Sequence, residues 1–84
     1  MRRVIREHRF ERELRELIPD AAAADRFVEA AEFLIVRDPE VGFQLEPGSD
    51  IWFLPMAPIN GVQVSLYYMF DESTVWLLSI ARVQ

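Results

Sequence analysis

Cysteine is absent from this 84-residue chain, and so is lysine; all nine basic residues are arginine. Without cysteine there are no disulfides and no thiolate metal sites, and a reducing compartment is the natural setting. There is no apolar run near the roughly 18–20 residues that cross a bilayer. The start, Met1-Arg2-Arg3-Val4-Ile5-Arg6-Glu7, is basic but lacks the apolar stretch of a signal peptide. A cytoplasmic protein is therefore expected. Glycine occurs three times, with no glycine-rich phosphate loop, and the single histidine is His8. No set of His, Asp and Glu has metal-ligand spacing, so neither a metal nor an organic cofactor is expected.

What the chain does hold is apolar. Hydrophobic residues make up 51%, at the top of the usual range of about 45–50%. Both tryptophans and both tyrosines lie beyond Phe43. A chain of this length makes one domain, residues 1–84, and has to pack densely or share its apolar surface with a partner. Charge is uneven. Up to Glu16 six arginines face four glutamates; the remainder holds three arginines against ten acids, and the whole carries −5. Beyond Pro39 the one basic residue is Arg82. Nucleic-acid binding rests on cations meeting phosphates, so the C-terminal half is a poor phosphate surface.

The pattern predicts the order β-α-α-β-β-β. Arg2 to Arg6 form a short first strand. From His8, the residues Phe10, Leu14, Leu17 and Ile18 share one helical face, and Pro19 ends that helix. Asp20 caps a second helix with the stripe Ala24, Phe27, Val28, Ala31, Leu34 and Ile35, stopped by Asp38-Pro39-Glu40-Val41-Gly42. The alanines allow it to pack closely on the first, as a helical hairpin. Phe43 to Leu45 is a short extended piece. Ile51 to Leu54 is a strand apolar on both sides, brought to an edge or an end by Pro55 and Pro58. Asn60-Gly61 signals a hairpin into Val62, Val64, Leu66, Tyr68 and Phe70, which alternate with Gln63 and Ser65. After Asp71-Glu72-Ser73 the chain closes on Thr74 to Arg82, apolar on both faces.

These predictions place strands near 2–6, 50–56, 62–70 and 74–82. The expected core is Phe10, Leu14, Leu17, Phe27, Ala31, Leu34, Val64, Leu66 and Tyr68. The parity of the last strand depends on its loop. A three-residue loop puts Trp76, Leu78 and Ile80 on the face of Phe70; an even-length loop puts Val75 and Leu77 there.

Four pieces in this order carry a resemblance: Val4-Ile5-Arg6 running into Phe10-Glu11-Arg12-Glu13-Leu14, Leu34 to Asp38-Pro39-Glu40-Val41-Gly42, Tyr67-Tyr68-Met69-Phe70-Asp71, and Val75 to Ile80. Together they cover nearly the whole chain, which resembles the RelE/ParE superfamily of toxins from bacterial type II toxin–antitoxin systems. The resemblance implies an α+β fold, a helical hairpin on a mostly antiparallel four-stranded sheet. It also implies neutralisation by a cognate antitoxin. Members that cut messenger RNA on the ribosome carry lysines and arginines on the exposed sheet face. Here Ile51 to Met56 and Val62 to Leu66 hold none, and Arg82 is the one counterpart of a catalytic basic residue.

Phosphodiester cleavage needs cations to hold phosphate and developing charge. Three readings follow: an antitoxin-bound toxin with weak or lost mRNA interferase activity, a ParE-like inhibitor of DNA gyrase, and a non-toxic small α+β protein-interaction module. Whether the chain is an enzyme stays open among them; as an enzyme it would be an endoribonuclease acting on ribosome-bound mRNA.

Other features have plainer readings. His8 sits near a helix start, with a surface role set against acid–base work. Tyr67 and Tyr68 face opposite ways, one into the core and one free to stack. Asp71 and Glu72 suit a turn, and Glu29 and Glu32 are solvated helix charges. The arginine-rich first helix is a solvated face with paired glutamates, or else the surface that touches RNA or an acidic partner. One helical hairpin covers one face of a sheet. The apolar residues of the other face, with Trp52, Leu54, Tyr67, Met69 and Trp76 as candidates, are expected to bind a partner: an antitoxin segment or a second copy of the chain.

Overall fold

A computed structural model describes residues 2–59 and 61–83. Its elements are β1 (Arg3–Arg6), α1 (His8–Leu17), α2 (Ala21–Arg37), a 3₁₀ turn (Pro39–Val41), β2 (Phe43–Gln44), β3 (Trp52–Pro55), β4 (Val64–Phe70) and β5 (Thr74–Arg82). The class is α+β, as the pattern predicts. The sheet has five strands rather than four, in the order β1-β5-β4-β3-β2. The extended piece at Phe43 is the added strand: Phe43 pairs with Phe53 and Gln44 with Trp52. Among the described residues only β1 and β5 run parallel.

Both ends of α2 follow local chemistry. Asp20 Oδ1 accepts from the Ala22 N–H at 3.2 Å, capping α2. At the far end Asp38 Oδ1 accepts from Glu40 N–H, and Pro39 opens the 3₁₀ turn. Ile59 and Val62 exchange backbone hydrogen bonds at 2.9 Å, and Gly61 has a φ of 81°, which suits a two-residue hairpin. Asn60 of that hairpin lies outside the described residues.

One sheet face carries the helices. Its inward residues are Leu54 on β3, Val64, Leu66 and Tyr68 on β4, and Val75, Leu77 and Ile80 on β5, all buried. Phe10 and Leu14 of α1, Ile18 just after it, and Ala24, Val28, Ala31 and Ile35 of α2 meet them. Three expected core residues are corrected. Leu17 and Phe27 are half-buried. Leu34 is 44% exposed, because the buried stripe of α2 runs 24, 28, 31, 35 and Ile35 takes the inward place. The rest of the expected core is buried.

The last strand combines two phases. Phe70 pairs with Val75 and the Asp71 N–H donates to the Thr74 carbonyl, so Glu72 and Ser73 make a two-residue, even-length turn and Val75 and Leu77 face the helices. Tyr67 then pairs with Ser79 and Tyr68 with Leu77, leaving Leu78 as the extra residue of a β-bulge. The bulge resets the alternation, and Ile80 turns inward as well.

The 3₁₀ turn is tied to the sheet from inside. The Tyr68 hydroxyl donates to the Pro39 carbonyl at 2.6 Å and accepts from the Gly42 N–H at 3.2 Å. A Cβ on Gly42 would lie 2.3 Å from the Phe53 carbonyl oxygen and 2.8 Å from the Tyr68 hydroxyl, so this close approach admits only glycine.

Candidate functional site

Among the described residues no helix covers the second sheet face. Register puts Ile5, Trp76 and Met69 in one row across β1, β5 and β4, and Ser79, Tyr67, Phe53 and Phe43 in the next across β5 to β2. The aromatic rings form a ladder: Phe43 and Phe53 centroids lie 5.6 Å apart, and Phe53 and Tyr67 6.2 Å. Phe43 is 58% exposed, and Ile5 and Leu45 are also exposed. Beside the ladder, Tyr67, Leu78, Ser79 and Ala81 floor an open cleft of about 410 Å³, with Leu45 and Ile51 on one side and Arg9 on the other.

Of the residues expected to bind a partner, Tyr67, Met69 and Trp76 are brought together here. Trp52 and Leu54 are not. They pair with Tyr68 and Leu66 on the helix side; Leu54 is buried and the Trp52 ring packs 5.5 Å from that of Phe70. Their places on the open face are taken by Phe53, Phe43 and Ile51. Strand alternation contains this signal, but reading it required knowing which β3 residue stands opposite Tyr68.

Arg82 also lies away from the cleft. It pairs with Val64, on the helix side of the sheet, and borders a shallow hollow with Glu13, Glu16 and Leu17 of α1. Arg9 is the cation at the cleft, and its Nε stands 3.4 Å from Glu13 Oε2. Glu13 is the organising charge. Its Oε1 accepts from the Ser79 hydroxyl at 2.6 Å and from the Ile80 N–H at 3.3 Å. β1 stops pairing at Leu77, so this carboxylate serves a stretch of β5 that has β4 on one side and no strand on the other. Partial burial pushes the Glu13 carboxyl up, but the hydrogen bonds from Ser79 and Ile80 and the nearby Arg9 outweigh it and hold it below the ordinary value.

The remaining candidates have structural places. His8 lies on the exposed side of α1 beside Glu11, Arg12 and Arg15. Asp71 caps the β4–β5 turn, accepting from the Ser73 and Thr74 N–H groups at 2.8 Å each. These bonds hold its carboxyl below the ordinary range. Glu32 pairs with Arg6 at 3.0 Å. Among the described residues no cluster of His, Cys, Asp and Glu could hold a metal ion, and no helix is long and apolar enough to cross a membrane.

No family model and no curated protein matches this chain. Function has therefore to be read from the face itself. An aromatic ladder beside a cleft with one carboxylate-paired arginine offers apolar contact and stacking. It offers little for holding phosphate.

Proposed function

We propose that this chain is a RelE/ParE-like toxin-family protein that works by binding protein, with its open sheet face covered by a cognate antitoxin segment and mRNA cleavage weak or lost. One observation carries the reading: the central strands of the open face are aromatic and uncharged, with Arg3 confined to the β1 edge. Outward positions of β3, β4 and β5 hold no arginine, Arg82 lies on the helix side, and Arg9 is engaged by Glu13. Protein partners are recognised by buried aromatic anchors in desolvated pockets. Tyr67, Trp76 and Phe53 are the anchors here. A helix or strand of the antitoxin laid between Arg9 and Leu45 would cover them. Gyrase inhibition is the second reading, favoured by the same lack of cations because it too is a protein-binding activity. A non-toxic interaction module is the third.

The test is to induce the chain alone in bacteria while following translation and DNA replication, and to co-purify it with the product of its neighbouring gene. Capture of that product, lost in Tyr67→Ala and Trp76→Asp variants that keep their circular dichroism, is the expected result. Arg82→Ala should leave any toxicity unchanged. Rapid translation arrest abolished by Arg82→Ala would overturn the binding reading in favour of an interferase. A replication block would select the gyrase reading. A chain that captures nothing and harms nothing would leave the non-toxic module.

A further inference from the structure

A second unoccupied surface lies at the other end of the sheet, and its chemistry is self-complementary. β1 is an edge strand, bonded to β5 on one side only. Arg3 N–H donates to Ser73 and Glu7 N–H to Leu77. By the alternation of a parallel ladder, the N–H and C=O groups of Val4 and Arg6 then point away from the sheet. Beside this edge runs α2, which presents Glu29, Phe33 and Arg37 one turn apart along one exposed stripe. Phe33 is 61% exposed, with the Arg37 guanidinium 4.9 Å from its ring centroid. Val4, Phe33 and Val36 share one hollow with Arg2 and Arg37, and Arg6 reaches Glu32. The strand and the helix therefore run antiparallel, side by side.

We propose that this edge joins a second copy of the chain, through antiparallel pairing of the two β1 strands and packing of the two α2 helices about one two-fold axis. The proposal is independent of the antitoxin reading, which uses the opposite face and the other strands.

Register and charge select this occupant. A two-fold axis perpendicular to the sheet keeps both pairs of helices on one side and brings residues of the same face opposite each other. Centred on Ile5, it sets Arg3 against Glu7 of the second copy and Val4 against Arg6, with Ile5 meeting itself. Val4 and Arg6 are the residues whose backbone groups point outward, so each hydrogen-bonded pair is satisfied. Centred on Val4 instead, the pairing would oppose Arg2 and Arg6, a like-charge contact that is destabilising.

The helix stripe obeys the same symmetry. Crossing at Phe33, two antiparallel α2 helices place Glu29 against Arg37 of the second copy, and Arg37 against its Glu29. Ala30 then faces Val36, and Phe33 faces Phe33. Neither Glu29 nor Arg37 has an ion-pair partner among the described residues. An isologous contact of this kind closes as a dimer and does not propagate.

Sedimentation equilibrium of the full chain should show a dimer that dissociates on dilution. Glu29→Arg and Arg37→Glu each introduce the repulsive contact twice and should weaken the dimer by about tenfold or more. The combined Glu29→Arg/Arg37→Glu variant should restore it to within a few-fold. Phe33→Glu should give a monomer with an unchanged circular dichroism spectrum, since the side chain is exposed. The amides of Val4 and Arg6 should exchange more slowly as wild-type concentration rises, but not in Phe33→Glu. A wild type that stays monomeric, a dimer indifferent to Phe33→Glu, a double swap that fails to rescue, or unprotected Val4 and Arg6 amides would each overturn the proposal.

Discussion

Replacing Tyr68 by Phe removes one oxygen atom from the centre of the fold while leaving the ring's packing in place. That oxygen lies between the Pro39 carbonyl, 2.6 Å away, and the Gly42 N–H, 3.2 Å away, and Tyr68, Pro39 and Gly42 are all buried. Without it, one backbone donor and one acceptor lose their partner where water has little access. Leaving a buried group unsatisfied costs about 1–3 kcal/mol. The Pro39 carbonyl keeps a second lone pair and some room to relax, so the sum should fall near 2–4 kcal/mol. A domain of this length has roughly 4–13 kcal/mol in all. The melting temperature should fall by about 10–25 °C. Urea unfolding followed by circular dichroism is the assay, with the midpoint shifted and the slope unchanged. High pH gives an independent check. Burial, reinforced by Asp38 and Glu40 and opposed by the Gly42 N–H, raises the Tyr68 phenol above its ordinary value of 10.0. The unfolded chain then releases this proton before the folded one does. Stability from this group is complete below pH 10.0 and is lost as pH rises through the folded pKa. The Phe variant should lack that part of the alkaline decline. A loss under about 0.5 kcal/mol together with an unchanged alkaline slope would refute the idea that this hydroxyl holds the 3₁₀ turn to the sheet.

Gly42→Ala should destabilise by about 1–3 kcal/mol or more, because the new methyl meets the Phe53 backbone carbonyl rather than a yielding side chain; thermal melts decide it. Glu13→Ala should cost about 1–2 kcal/mol through the Ser79 and Ile80 hydrogen bonds, read from urea midpoints. Because the folded Glu13 carboxyl titrates below its ordinary 4.5, its contribution is present above that pH and lost as pH falls through the folded pKa. The Ala variant should therefore show a flatter acid decline than the wild type.

Helices and their stops were legible because each rests on local chemistry: Pro19 with Asp20 between them, Asp38-Pro39 at the end of α2, and three-to-four spacing on one face. The hairpin strands were legible from the alternation of Val64, Leu66 and Tyr68. What stayed hidden depends on pairing across the sheet. Phe43–Gln44 is too short to show a period and becomes a strand because β3 lies beside it. Trp52 and Leu54 resemble Phe53 in sequence, and the register against β4 alone sends them to the helix side. Leu34 and Ile35 are neighbours of equal apolarity, and which one is buried turns on the angle at which α2 meets the sheet. The Leu78 bulge reconciles Val75 and Leu77 with Ile80, although a regular strand would have buried one set or the other.

That bulge also bears on what the open cleft can do. By admitting Leu78 to the cleft floor and turning Ile80 inward, β5 supplies apolar residues to both faces in succession. Beyond Leu77 no strand flanks β5 on its β1 side, and the Ile80 N–H there needs an acceptor; α1 provides the Glu13 carboxylate. Glu13 is then fixed in place one helical turn from Arg9, and the pair forms. The carboxylate that stabilises the strand thus offsets the one cation lining the cleft. A phosphate entering there would meet Glu13 as well as Arg9, and the attraction of one charge is largely cancelled by the repulsion of the other. An apolar or aromatic side chain bears no such opposition. The same requirement that closes the fold at β5 therefore biases the open face against nucleic acid and towards a protein partner.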